Sequence, residues 1–267
     1  MPEGPEVATN VDFMKNYLYG NRISCIEIVS GRYKKHGPFA GYENFKTNLL
    51  VDRVSCKGKF IFILFEDASS LWSTLGMTGI WQNKETKHTR VILRINTGEC
   101  LYYNDIRNFG TLRYNTDPYL LSKKLDSLGM DFLKHTYEDT RIVDNFMKKK
   151  NKTIAEALMD QSICAGIGNY LKAEILYDAA ISPHRKVESL DSEEFTRLCA
   201  ACHRIPRVSY HKGGATIYTY KTGDGKDGMY TPRFMVYNRK HDSFGNPVIK
   251  ETTKDKRTTH WVPNIQK

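Results

Sequence analysis

The chain has 267 residues, 40 Lys and Arg against 30 Asp and Glu, a net charge of +10 and 40% hydrophobic residues. Those values exclude an acidic disordered chain and a membrane protein, and the length allows one large or two modest folding units. The 16 Tyr, 12 Phe and 3 Trp beside that surplus of cations suit a polyanion that also offers flat rings, so nucleic acid is the first partner to consider. The six cysteines are scattered, no export signal opens the sequence and no run of eighteen apolar residues occurs, so an intracellular chain with reduced thiols is expected, nuclear and cytoplasmic settings being indistinguishable. Cys199 to His203 has the spacing of a haem attachment site, but it lies in a segment that reads as helix, and the structural reading is preferred.

Pro5 is a good first helical residue, and Val7, Val11, Met14 and Leu18 then recur at helical spacing up to Gly20, giving an amphipathic helix. From Arg22 to about Leu112 short runs rich in Val, Ile, Phe and Tyr dominate, such as Lys59 to Phe65 and Arg90 to Ile95, with a turn at Asn96 to Gly98 before Cys100 to Tyr103. This predicts a β-sandwich or barrel of about one hundred residues. A charged stretch from Leu121 to Asp139 marks a boundary, after which Ile142, Phe146, Ile154 to Met159, Tyr170 to Ala180 and Glu193 to Arg204 fit short helices. Past Gly213 and Gly214, Met235 to Tyr237 and Thr258 to Val262 read as the strands of a small hairpin turning near Asn246 and Pro247. The glycine-rich Thr222 to Gly228 reads as a linker or lid.

Five segments could carry chemistry. The N-terminus is Met1-Pro2-Glu3-Gly4-Pro5-Glu6. Loss of Met1 would leave Pro2 with a secondary amine whose pKa, by the usual terminal value, is about 7.7 to 8.0. Such an amine can attack a carbon bearing a leaving group and become an iminium, with Glu3 and Glu6 beside it to donate a proton or orient; the bland alternative is a simple helix start. Lys57 and Lys59 lead into an apolar strand, and either could hold a phosphate or merely end the strand. Asp105 to Gly110 and Leu75 to Gly79 look like glycine-bearing turns presenting a long or flat side chain, suited to filling the space left by an extruded base. Ala165 to Glu174 places two glycines before a helix whose free N–H groups can bind phosphate, and Lys254 to His260 is a basic tip in which Arg257 is suited to a phosphate contact. Lys148 to Lys150 end a helix at its negative pole, a better account of them than a targeting signal.

In this order, Pro2-Glu3-Gly4-Pro5-Glu6, Gly58-Lys59-Phe60, Leu75 to Gly79, Asp105 to Gly110, Ala165 to Tyr170 and Arg257 to His260 closely resemble the formamidopyrimidine-DNA glycosylase and endonuclease VIII family over essentially the whole chain. Within it the likeness is greatest to endonuclease VIII-like members whose finger lacks zinc. The resemblance implies an α+β multidomain chain: an N-terminal two-layered β-sandwich over 1–125, a helix-two-turn-helix domain over 126–222, and a loop with a C-terminal zincless β-hairpin finger over 223–267. It implies a bifunctional DNA glycosylase and AP lyase of base excision repair that acts through a Schiff base and β,δ-elimination. Pro2 is then the nucleophile, Glu3 the acid for the opening sugar, Glu6 its support, and Lys59 the catalytic lysine in preference to Lys57. Met77, Arg107 and Phe109 fill the gap left by the lesion, and Asn169 and Arg257 grip its phosphates. The partner is damaged double-stranded DNA, with single-stranded DNA as an alternative, and the chain is expected to act as a monomer without a cofactor. The finger's cysteine positions carry Phe244, Val262 and Ile265, so a zincless finger held by apolar packing is expected. Gly4 resembles the branch acting on oxidised pyrimidines, whereas the loop from Lys221 to Tyr230 has the length of the lid over oxidised purines. Oxidised pyrimidines and ring-opened purines are favoured, with 8-oxoguanine as the competing lesion and a non-catalytic nucleic-acid binder as the competing class.

Overall fold

The computed structural model describes residues 1–216 and 223–267. Lys221 and Thr222, at the start of the loop singled out from sequence, lie outside the described residues. Helix α1 (Gly4–Leu18) buries Val7, Val11, Met14 and Leu18, the stripe its spacing predicts. They pack on the inner faces of eight strands: β1 (Arg22–Ile28), then, after the single helical turn α2 (Arg32–Lys35), β2 (Leu49–Lys57), β3 (Phe60–Phe65), β4 (Ser70–Thr74), β5 (Gly79–Gln82), β6 (Thr89–Ile95), β7 (Cys100–Asp105) and β8 (Thr111–Asn115). All pairings are antiparallel, in the order β5-β7-β6-β1-β2-β3-β4-β8. Only Arg22–Leu50 and Ile23–Leu49 join β1 to β2, and at this narrow seam the sheet folds over into two layers. Trp81 of one layer donates to Ser73 Oγ of the other at 3.1 Å across the core.

The β2–β3 connection brings a catalytic candidate to the layer edge. Lys57 pairs with Phe60, leaving Gly58 and Lys59 as a two-residue turn, and Gly58 has φ +57°. Asp131 Oδ2 accepts from Gly58 N–H at 2.8 Å, so the helical half of the chain fixes the turn. A Cβ on Gly58 would sit 2.5 Å from the backbone nitrogen of Gly166, which itself lies against Gly4. Gly58→Ala is therefore expected to destabilise by about 2 kcal/mol or more, since neither the positive φ nor the backbone contact can relax cheaply. The urea midpoint checks this.

Beyond α3 (Pro118–Asp126), which occupies part of the charged boundary stretch, the chain forms α4 (Asp139–Met147), α5 (Ile154–Met159), α6 (Asn169–Asp178) and α7 (Ser192–His211) around Phe132, Phe146, Leu158, Tyr170 and Leu198. Helix α6 is buried from Tyr170 to Tyr177, between α7 and the terminal hairpin, and this run includes Lys172 and Glu174. Helix α7 runs beyond Arg204, with Pro206 inside it.

The hairpin differs from expectation. Its strands are β9 (Ile249–Thr252) and β10 (Thr258–Trp261), and the turn is Thr253 to Arg257 rather than Asn246-Pro247. Met235 to Tyr237 form no strand, because their three N–H groups donate to the buried Glu174 carboxylate at 2.8, 3.1 and 2.8 Å. A side chain thus takes the donors a ladder would have used. Among the described residues no helix is long and apolar enough to cross a membrane.

Candidate active site

Two helix starts meet at one carboxylate. Glu3 begins α1, and its side chain reaches the N-terminus of α6, where Oε2 accepts from Gly168 N–H at 2.8 Å and Leu171 N–H at 3.2 Å, and Oε1 from Tyr170 N–H at 3.0 Å. The glycines of Ala165 to Asn169 make this approach possible: a Cβ on Gly168 would lie 2.3 Å from the Glu3 carboxyl carbon. Glu6, one turn on, accepts from Glu3 N–H at 2.7 Å, Tyr170 Oη–H at 2.8 Å and Ala215 N–H at 2.7 Å. Both carboxyls are buried.

Burial pushes the Glu3 carboxyl up to about 7, against the pull of Lys59 and the backbone donors and with help from Glu6. Burial also raises Glu6, and it lowers the Lys59 ammonium, which Glu3 and Glu6 oppose. Lys59 Nζ donates to Ile167 C=O at 2.8 Å, on the loop that carries Gly166 and Gly168, whereas Lys57 Nζ turns to Leu125 C=O at 2.9 Å. The terminal amine of Met1 is lowered, first by burial and further by Lys59 and Arg107. Met1 itself is 48% exposed while Pro2 is buried. While Met1 is attached, Pro2 nitrogen is a tertiary amide and cannot attack; its removal yields a secondary amine among the same neighbours.

A pocket of about 200 Å³ is lined by Met1, Glu3, Lys59, Met77, Met159, Gly168, Asn169, Tyr237 and Arg257. Candidates from all three parts of the chain therefore share one cleft. Asn169 Nδ2 donates to Thr258 C=O at 2.7 Å, tying the start of α6 to the strand after Arg257. At the rim, Arg107 lies 4.6 Å over the Phe109 ring, with Nη1 2.9 Å from Met77 Sδ, and Phe109 is 54% exposed. Asp105 holds the two turns together, accepting from Thr78 Oγ1 at 2.5 Å and Gly110 N–H at 2.8 Å, while Thr78 Oγ1 accepts from Arg107 N–H at 2.9 Å.

The sequence reading assigned no role to Asp105, Asp131, Tyr170 or Tyr237. Asp105 and Tyr170 fall inside quoted motifs, but that their side chains turn inward is set by contacts distant in sequence.

In the finger, Val262 is buried with Ala173, Tyr177 and Val236, and Val248 and Ile265 pack against them. Phe244 takes no part in that packing and is 79% exposed. A carboxylate orders its turn instead: Asp242 accepts from Phe244 N–H at 2.9 Å, Asn246 N–H at 2.8 Å, Asn246 Nδ2 at 2.9 Å and Tyr177 Oη–H at 3.1 Å. Among the described residues no three His, Cys, Asp or Glu side chains gather as a metal site would require.

A sandwich and a helix-two-turn-helix domain that close on such a cleft, with a basic hairpin over its mouth, define a DNA-repair glycosylase with lyase activity. Family models described as the N-terminal, H2TH and C-terminal domains of formamidopyrimidine-DNA glycosylase match residues 1–112, 128–221 and 229–267. The chain belongs to the formamidopyrimidine-DNA glycosylase family. Similar curated proteins include the formamidopyrimidine-DNA glycosylases of Ureaplasma parvum, 30% identical with all of both chains covered, and Streptococcus pneumoniae, 31% identical with 100% of this chain and 99% of that one covered. Among solved structures, the MutM (Fpg) protein of Thermus thermophilus superposes with TM-score 0.87 at 28% identity, covering 99% of this chain and 98% of that one. A complex of Lactococcus lactis Fpg with DNA containing an abasic site has TM-score 0.86 at 25% identity, with 99% of each chain covered.

Proposed function

We propose that Pro2, freed of Met1, attacks the deoxyribose C1′ of an oxidised nucleotide in DNA and displaces the base. The bond to the base breaks with its electron pair, and Glu3 gives its proton to the ring oxygen as the sugar opens, leaving an iminium on Pro2. The iminium withdraws electrons from C2′–H; loss of that proton expels the 3′ phosphate, a second elimination expels the 5′ phosphate, and water releases Pro2. Lys59 lies where its ammonium can stabilise developing negative charge, and Glu6 holds the Glu3 backbone in place. Asn169 and Arg257 face the phosphates, while Met77, Arg107 and Phe109 enter the gap in the stack. What carries this reading is the single cleft that joins the Pro2 segment to Glu3, Lys59, Asn169 and Arg257.

Oxidised pyrimidines and ring-opened purines are the favoured lesions. The test is borohydride trapping on duplexes carrying thymine glycol, dihydrouracil, a ring-opened guanine, 8-oxoguanine or an abasic site, with mass spectrometry of the adduct. A covalent product on Pro2 that forms fastest with the first three lesions supports both mechanism and preference, and a lead for 8-oxoguanine overturns the preference alone. Binding without any adduct, from protein lacking Met1, would put a non-catalytic binder in its place.

A further inference from the structure

The two groups read as the phosphate grip come from segments far apart in sequence, Asn169 at the start of α6 and Arg257 at the end of the hairpin turn. A buried ion pair lies between these segments. Lys172 is one helical turn beyond Asn169, on the same side of α6, and its side chain is fully buried. Its ammonium donates to Asp255 Oδ2 at 2.5 Å, and the Asp255 side chain is 3% exposed. The other Asp255 oxygen turns back into the hairpin, where Oδ1 accepts from Thr253 Oγ1 at 2.6 Å and Arg257 N–H at 3.2 Å. Asp255 alone of the charged residues in Lys254 to Arg257 points inward; Lys254, Lys256 and Arg257 are exposed. Lys256, at φ +59°, and the Lys256 N–H to Thr253 C=O bond of 2.9 Å close the turn around it.

A buried ion pair adds little net stability compared with apolar packing, but removing either partner strands a buried charge. Burial lowers the Lys172 ammonium, and Asp255 is the main group opposing that shift. The pair adds a charged tie at the hairpin tip to the Asn169–Thr258 hydrogen bond and to the packing of Val262 on Ala173 and Tyr177 of α6.

We propose that Lys172 and Asp255 are positioning residues for DNA binding: their ion pair sets the spacing and angle between Asn169 and Arg257, so that both can engage the phosphates of the lesion strand at once. The proposal rests on the reading of Asn169 and Arg257 as that grip. Neither residue of the pair touches DNA. The pair preorganises those that do, which cuts the ordering cost of binding.

The test uses the full chain and a duplex with a tetrahydrofuran abasic analogue, whose Kd is measured across a series of salt concentrations, with Tm followed in parallel. Lys172→Met and Asp255→Asn are each expected to weaken binding about tenfold or more and to flatten the slope of log K against log salt by about 0.9, the share of one phosphate contact. Lys172→Arg, which keeps the pair, is expected to bind within about threefold of the parent. A purely structural role would lower Tm and leave the affinity and salt slope of the folded protein unchanged, which overturns the proposal. If the single variants do not fold, Lys172→Met with Asp255→Leu restores an uncharged, filled interior. Full affinity and slope in that double variant also overturn it. Arg257→Ala separates the two ideas. An unchanged salt slope there removes the grip reading, and the proposal with it. A slope flattened there but untouched in the pair variants removes the proposal alone.

Discussion

Chain whose first residue stays in place is expected to bind lesion DNA and do nothing to it. Extending the N-terminus by one residue that aminopeptidases do not remove, or replacing Pro2 with a residue that retains Met1, keeps the Pro2-position nitrogen as an amide without a nucleophilic lone pair. Base release and strand cleavage should both fall by at least about a thousandfold, the order of loss seen when a covalent nucleophile is removed. Affinity for an abasic-analogue duplex should change much less, because Asn169 and Arg257 lie on other segments of the cleft. Single-turnover cleavage and borohydride trapping read this directly. A retained-Met1 protein with ordinary turnover would show that the amine is not the nucleophile. At this end of the cleft burial lowers the terminal amine that Met1 presents, against Glu3 and Glu6, which raise it.

Glu3→Gln is expected to separate the two half-reactions. Gln is nearly isosteric and its one carbonyl oxygen can still accept from N–H groups at the start of α6, but its amide nitrogen cannot replace the second acceptor oxygen and it has no acidic proton to give to the opening sugar. Base excision should drop by about 10² to 10⁴, the usual worth of a positioned general acid, while cleavage of a preformed abasic site, whose ring opens unaided, is spared in large part. The pH dependence carries a definite sign. Burial holds the Glu3 carboxyl near 7, so the acid form that protonates the sugar is lost as pH rises through that value. Excision by the parent should then fall by about tenfold per pH unit on the alkaline side, and this limb should vanish in Glu3→Gln. Stability follows the same inequality. The native state keeps the Glu3 proton up to about 7, whereas the unfolded chain releases it near the ordinary value of 4.5. The native advantage is therefore complete at acid pH and is lost as pH rises through 4.5 to 7, so Glu3→Gln should gain Tm relative to the parent at pH 8 compared with pH 5.

Much of the molecule was legible beforehand because short-range rules govern it. The stripe Val7, Val11, Met14 and Leu18 is one face of a helix whatever it packs on, and the β-branched and aromatic runs from β1 to β8 point to a sandwich or barrel, of which the fold shows the sandwich. Glu3, Lys59, Asn169 and Arg257 could be singled out because their motifs are short and ordered along the chain, and the structure brings these four, with Met1 beside Pro2, to one pocket. The hairpin register was misread because Met235 to Tyr237 has the composition of a strand, yet its N–H groups are claimed by Glu174, about sixty residues earlier. Phe244 stands at a cysteine position of the family's finger, where apolar packing is expected, but Asp242 orders that turn through hydrogen bonds and leaves the ring outside.

The sequence by itself determined most of the elements, their order, the family and the candidates for the reactive groups, because these depend on periodicity, turn chemistry and local motifs. Only the tertiary structure decided the protonation preferences and the spacing of the grip. A carboxyl reaches about 7 only when other segments exclude water from it, as α6 and its loop do around Glu3. Nothing in the sequence links Lys172 with Asp255, 83 positions apart, and only the fold buries them against each other. Desolvation and long-range pairing are properties of the packed molecule, and no window of sequence contains them.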